Sequence, residues 1–250
     1  MKPWLNADLR LIIESPGSLN VKSLPAGPWH MARDEALLLT ASRPTLRIYV
    51  WPQEEATLGY FTPTTDAAGV RAATRRISGG GLVNHRSHSQ LTYSLVLPKD
   101  SLELSTPEIY CSMHGAIMGA LVEADQGLKA QLRLHDATVP GKSGPCFVAP
   151  VAGDLMLGNR KIAGAAQRKQ AWALLQQGVV ELECLPEHLQ NGFISSWVAK
   201  IAGPVLPQPW KSFESAIAEE IFALRQHFEL EDSLHPLLAK LRTMRTCYAV

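Results

Sequence analysis

The chain is short of several features that would assign it quickly. Its cysteines, Cys111, Cys146, Cys184 and Cys247, are scattered, with no CxxC pair and no Cys/His group at zinc-site spacing. That excludes a dense disulfide framework and a zinc module built on cysteine. Charge of either sign is not in excess: the formal net charge is +1, where a general nucleic-acid or membrane-surface binder would be clearly basic. No apolar run approaches the length needed to span a bilayer. The start of the chain, "MKPWLNADLRLIIESPGS", has no secretory apolar region, so a cytoplasmic, thiol-reducing location is the expectation. Internal repeats, low-complexity tracts and long Gly/Ser linkers are also missing.

The common phosphate motifs fail as well. "PGKSG" at 140–144 contains the GKS of a P-loop, but the glycine required five residues before Gly141 is replaced by Asp136. The glycine run at 79–81 is GGG rather than GxGxxG, and a strand-like segment follows it instead of a helix.

What is present is a folded, apolar-rich chain: 250 residues, 46% hydrophobic and 19% charged. Strand patterns run through "DLRLIIE" (8–14), "PTLRIYVWP", "EATLGYFTP" and "LTYSLVLP". "GPWHMARDEALLLTAS" has helical spacing. A second helix is expected with Thr106 as N-cap and Pro107 in the first turn; Ile109, Met113, Ile117 and Leu121 form its buried face, and Gly127 ends it. "DLMLGNRKIAGAA" reads as a hairpin turning at Gly158-Asn159, and "AWALLQQGVVELEC" as strand. Helices are expected at 213–228 and in "HPLLAKLRTMR", after a Pro-rich connection at 203–210 that follows the last strand. Strands and helices mixed without strict βαβ alternation predict an α+β fold in a single domain over 1–250, with short C-terminal helices from about 211.

One stretch stands out. "RRISGGGLVNHRSHSQLTYSLVLP" sets Gly79, Gly80 and Gly81 between Arg75/Arg76 and His85. Adjacent glycines are costly to order, so either a tight bend or a ligand lying against bare backbone is expected there. As a plain β-turn, the arginines would be solvated and His85 would cap a strand. Further on, Lys161 precedes the small residues of "IAGAAQ". A lone lysine of this kind is usually a solvated strand residue, and a lone cysteine usually a small buried hydrophobe.

Read together, "RRISGGGLVNH" and "GNRKIAGAAQR" resemble the catalytic domain of the biotin/lipoate protein ligase and lipoyl/octanoyl transferase superfamily. "HMARDEALL" and "LRIYVWPQEEATLGYF" extend the resemblance from about Trp29 to about Glu183. The resemblance implies a mixed, largely antiparallel sheet flanked by helices, of the class II synthetase-like kind. It implies a tunnel for an acyl or lipoyl chain lined by Arg75, Arg76, Ser78, Gly79, Gly80, Gly81, His85, Gly164, Ala165 and Ala166. Lys161 would hold the polar head of the chain. No nucleic acid or membrane partner and no metal is implied.

Within the superfamily, "NHRSHSQLTYS" is closer to the cysteine-dependent octanoyltransferases than to the ligases. "PCF" at 145–147 resembles the segment that carries their nucleophile, and this assigns Cys146 and Lys161 as catalytic. There are departures: Val151 and Asp154 replace a serine and a glutamate, and Gly81 gives the ligase-like GGG. The transferase reading needs no cofactor. It takes acyl carrier protein as donor and a lipoyl domain, or a glycine cleavage H-type protein, as acceptor. The alternatives are an ATP- and Mg²⁺-dependent lipoate ligase, in which Lys161 binds lipoyl-AMP, and a non-catalytic acyl-binding protein.

Overall fold

The computed structural model describes residues 5, 8–14, 26–67, 69–70, 73–87, 89–137, 150–189, 193–228, 240 and 243. In chain order the main elements are β1 (Arg10–Ile13), α1 (Ala26–Leu39), β2 (Thr45–Tyr49), β3 (Glu55–Leu58), β4 (Ala73–Arg75), β5 (Val83–His85), β6 (Gln90–Pro98) and α2 (Thr106–Ala124). They are followed by β7 (Leu132–Leu134), β8 (Leu155–Leu157), β9 (Arg160–Lys169), β10 (Ala173–Glu181), α3 (Phe193–Ala202) and α4 (Ser212–Phe228).

Among the described residues, seven strands form a mixed sheet in the order β1-β2-β6-β10-β9-β8-β7, in which β1 and β2 pair parallel and the other neighbours pair antiparallel. A second sheet, β4-β3-β5, stands apart from it. The expected α+β class is the observed one. Because strand side chains alternate between faces, the two faces of the large sheet collect different cores. Leu91, Tyr93, Leu95 and Leu97 of β6 join Met113, Ile117 and Leu121 of α2 and Phe193, Trp197 and Ile201 of α3. On the other face, Val96 and Leu175 pack with Ala32 and Ala36 of α1 and Ile217 and Ile221 of α4.

Several boundaries differ from those expected. Ser105, not Thr106, caps α2: its backbone N–H and its hydroxyl both donate to the Glu108 carboxylate, at 2.8 and 2.6 Å. Asp125, not Gly127, closes the helix, because its N–H takes up the Leu121 carbonyl at 2.9 Å. The sequence reading passed over α3, although Phe193, Trp197 and Ile201 recur every fourth residue. The Pro-rich stretch therefore links α3, rather than a strand, to α4. It runs beside β1, where Gln208 N–H donates to Leu11 O at 2.7 Å. Most of the helix expected in "HPLLAKLRTMR" lies outside the described residues. Among the described residues no helix is long and apolar enough to cross a membrane.

Candidate active site

β4 and β5 both pair with β3, so the chain between them, Arg76 to Leu82, must loop back over the end of β3. Arginine side chains hold that loop. Arg76 Nη1 donates to Thr57 O and Thr57 Oγ1 at 2.8 and 2.6 Å, and its Nη2 donates to Gly79 O and Gly81 O at 3.0 and 2.9 Å. Arg75 Nη1 donates to Gly59 O at 3.1 Å. With 4% and 5% of their surfaces exposed, Arg75 and Arg76 are not the solvated pair of a plain turn, nor part of an exposed basic patch. Neutral carbonyls satisfy a buried guanidinium only when several converge; β3 and the loop supply them to Arg76, and the turn after β3 supplies them to Arg75.

Two glycines set the loop's shape. Gly80 sits at φ +84°, in the left-handed region. Its carbonyl oxygen would lie 1.6 Å from a Cβ placed on Gly59, so these two backbones meet where no side chain fits. Gly59 was not singled out in the sequence. Gly79, by contrast, faces open space.

Between the loop and the large sheet lies a cavity of about 450 Å³. Its floor is a single row across four strands: Tyr49 pairs with Thr92, Thr92 with Val179, and Val179 with Gly164. Directly paired residues point the same way, and all four line the cavity. In the next row, Gln177 is held by Ser78, whose hydroxyl donates to its Oε1 at 2.6 Å. The Gln177 Nε2 donates to Asp34 Oδ2 at 2.7 Å. Exposed Phe61 and Val151 also line the cavity.

Lys161 reaches the same face by an irregularity. It lies three positions before Gly164, a spacing that in a regular strand would send the two side chains to opposite faces. The β8–β9 register slips between Leu155 and Met156, a bulge that re-aims the chain. A Cβ at Gly164 would fall 2.3 Å from Lys161 Cε and 2.5 Å from its Nζ, so the missing side chain is the space the ammonium occupies.

Lys161 is 8% exposed, and its Nζ lies 2.8 Å from Asp154 Oδ2. It is a buried, paired cation rather than a solvated one. Asp154, fully buried, also accepts from Val151 N–H at 2.6 Å and from the Tyr110 hydroxyl at 2.6 Å. The Tyr110 oxygen in turn accepts from Ala165 N–H at 3.0 Å. Burial first, and then the Asp154 charge, push the Tyr110 hydroxyl pKa far up, so it stays a proton donor. Below this group, His114 Nδ1 donates to Gly153 O at 2.7 Å. Burial lowers the His114 pKa to about 4, which keeps the ring neutral.

His85 stacks on Trp51 with ring centroids 4.0 Å apart, and its Nε2 lies 2.8 Å from Thr57 Oγ1. That hydroxyl also accepts from Arg76 Nη1 at 2.6 Å, so it links the ring to the guanidinium. Burial and then Arg76 hold the His85 pKa well below the ordinary histidine value. A neutral ring stacked on Trp51 and bonded to the Thr57 hydroxyl is a brace for the Arg76–Thr57 pair.

Of the sequence-nominated residues, the cavity brings together Arg76, Gly80, Gly81, His85, Lys161, Gly164, Ala165 and Ala166. Arg75, Ser78 and Gly79 are not part of its lining; Arg75 acts behind it through the Gly59 carbonyl, and Ser78 through Gln177. Cys146 lies outside the described residues. Cys111 is half-buried in α2, with its sulfur 2.9 Å from where a Cβ on Gly153 would sit, and is not in the lining. Asp154, Thr57 and the row of Tyr49, Thr92 and Val179 were assigned no role from the sequence. Among the described residues no group of His, Cys, Asp and Glu could hold a metal ion.

Residues 27–206 match the family described as the lipoyl protein ligase A/B catalytic domain. The octanoyltransferase LipM of Symbiobacterium thermophilum is 33% identical over 174 residues, 63% of this chain and 62% of that one. The LipM of Oceanobacillus iheyensis is 30% identical over 181 residues, 66% and 63% of the two chains. The chain thus spans less than two thirds of the length of these curated relatives. Among solved structures, a T. acidophilum protein assigned as a lipoate protein ligase, with bound lipoic acid, superposes with a TM-score of 0.65 at 20% identity, covering 90% of this chain and 96% of that one. A lipoate-protein ligase A bound with ATP gives 0.64 at 19%, covering 89% and 95%. At that identity the shared property is the fold.

Proposed function

Because the chain belongs to the lipoyl protein ligase A/B catalytic domain family, we propose that it is an octanoyl transferase. It would carry an acyl group from a carrier-protein thioester, through Cys146, to a lysine of a lipoyl carrier domain. The observation that carries this reading is the buried Lys161 ammonium, aimed by a bulge and fixed by Asp154 beside a cavity walled partly by bare glycine backbone. Such a wall lets an extended apolar chain lie close to the backbone. A cation at its end suits either a developing oxyanion or a thiolate.

In this mechanism the Cys146 thiolate attacks the thioester carbonyl. A new C–S bond forms, the old one breaks, and the carrier leaves as its thiolate, to be protonated. The neutral ε-amine of the acceptor lysine then attacks the acyl-enzyme. The C–N bond forms, Cys146 departs as thiolate, and the amine's proton is released. Lys161 faces the negative oxygen in both tetrahedral intermediates. The connectivity is compatible with this: Val151 lines the cavity, and the five residues back to Cys146 span at most about 17 Å when extended.

The ligase reading asks for a nucleotide beside Arg76. Among the described residues, both cations lining the cavity are committed, Lys161 to Asp154 and Arg76 to the Thr57, Gly79 and Gly81 oxygens. A phosphate on Arg76 would have to displace those carbonyls, which favours the transferase reading. An entering thioester is already activated and needs no nucleotide.

The test is transfer from octanoyl-acyl carrier protein to a purified lipoyl domain or H-type protein without ATP, read as an octanoyl mass gain on the acceptor lysine. No gain, together with ATP-dependent attachment of free lipoate, would instead make the protein a ligase. Tight acyl binding with neither reaction would make it a binding protein.

A further inference from the structure

The floor of the cavity runs across the strands rather than along one of them, and this gives it a length. From Gly164 on β9 the row passes Val179 on β10 and Thr92 on β6 and stops at Tyr49 on β2. Neighbouring strands lie about 4.8 Å apart, so the three steps from Gly164 to Tyr49 measure about 14 Å. The two ends are unlike. At Gly164 the Lys161 ammonium fills the side-chain space. At the other end Tyr49 cannot swing away: its hydroxyl donates to Asp34 Oδ2 at 3.2 Å, and the Arg47 guanidinium lies 3.9 Å from its ring centroid. Thr92 is also fixed, its Oγ1 accepting from Trp51 Nε1 at 3.0 Å. The row is therefore a rigid track with a cation at one end and a wall at the other.

We infer that Val179, Thr92 and Tyr49 gauge the acyl chain, with the carbonyl end held at Lys161 and the methyl end stopped by Tyr49. The inference rests on the acyl reading above and goes beyond it by naming the residues that set chain length. An extended chain advances about 1.2 Å per bond, so eight carbons cover about 8 Å, and their terminal methyl needs a further contact distance of about 4 Å. That fits the track. Twelve carbons overrun it, and four leave most of it unfilled. Because the side chains stand one strand apart, an obstruction nearer Lys161 must admit a shorter chain than one farther away.

The test uses the full chain and free butanoate, hexanoate, octanoate, decanoate and dodecanoate, with affinities from calorimetric titration. It needs neither Cys146 chemistry nor a carrier protein. In the wild type, affinity should rise about fourfold per added methylene up to octanoate and fall by dodecanoate. Thr92→Leu should keep hexanoate binding and weaken octanoate by about tenfold. Val179→Phe, one strand closer to Lys161, should weaken hexanoate as well. Retained hexanoate binding by Thr92→Leu shows that this variant is folded. An octanoate optimum unchanged in both variants, or an equal loss at every length, would overturn the gauge and leave acyl binding standing. A wild type that binds none of the acids would overturn the acyl reading, and the gauge with it.

Discussion

Asp154 Oδ2 lies 2.8 Å from Lys161 Nζ, and neither residue has appreciable contact with solvent. Among the described residues the Asp154 carboxylate accepts from Lys161, the Tyr110 hydroxyl and the Val151 N–H. It therefore ties the ammonium to α2 and to the turn before β8.

Breaking such a pair leaves a buried charge uncompensated, which costs about 3–5 kcal/mol. Asp154→Asn should lower unfolding stability on that scale and reduce acyl transfer. Adding Lys161→Met should recover much of the stability, because the orphaned charge is gone, and should restore no activity. Urea unfolding of the two single variants and the double variant checks this. Additive losses in the double variant would mean that the pair is not coupled.

Gly164→Ala places a methyl where Lys161 Cε and Nζ now sit. Overpacking of this kind costs about 1–3 kcal/mol, and here it falls on the position of the ammonium. Transfer should slow at least about tenfold with a modest fall in melting temperature. A variant of normal kcat would show that the ammonium's place is not critical.

The glycines of the loop should separate by backbone geometry. Gly59→Ala drives a Cβ into the Gly80 carbonyl and should disrupt the loop. Gly80→Ala adds strain of about 1–2 kcal/mol at φ +84°. Gly79→Ala meets nothing within 4 Å and should leave unfolding stability within about 0.5 kcal/mol of the parent. Melting temperatures ranked Gly79 above Gly80 above Gly59 are expected; any other order contradicts the close approach.

Stability should fall with acid. His114 has its pKa lowered from 6.5 to about 4 by burial. The unfolded chain then binds more protons between those values, and stability must decline as pH drops from 6.5 toward 4, by on the order of 3 kcal/mol for this group. Burial lowers His30 and His85 as well, adding to the same slope. Glu14 contributes too: burial raises its pKa, Arg47 outweighs that, and the value lies near 2, so its contribution is lost as pH falls from 4.5. Urea midpoints from pH 7.5 to 4.5 test the sign. His114→Gln should flatten part of the slope, whereas an unchanged slope would remove His114 from the account.

Much of this architecture was legible because its periods are local. α1, α2 and α4 show helical spacing, β6 and β10 read as strands, and Gly158-Asn159 marks the β8–β9 turn. β4, β5 and β7, three residues each, are too short to show a period. They exist because longer partners accept them. The site divides in the same way. The glycine run and Lys161 announce themselves as motifs, yet a motif does not say that Arg76 turns inward onto carbonyls from β3 and the loop. Gly59 is dictated by Gly80, where the loop folds back over the end of β3. Asp154 meets Lys161 only because a bulge in β9 turns the lysine over. The cavity floor takes one residue from each of four strands, a relationship that appears once register is known.

The most direct test of the central claim is intact-mass analysis of the purified protein after incubation with octanoyl-acyl carrier protein, without ATP and without acceptor. A single octanoyl increment is expected, labile to hydroxylamine, mapping to Cys146, lost in Cys146→Ala and kept in Cys111→Ala. An increment that persists in Cys146→Ala, or full transfer to a lipoyl domain by that variant, would contradict the account.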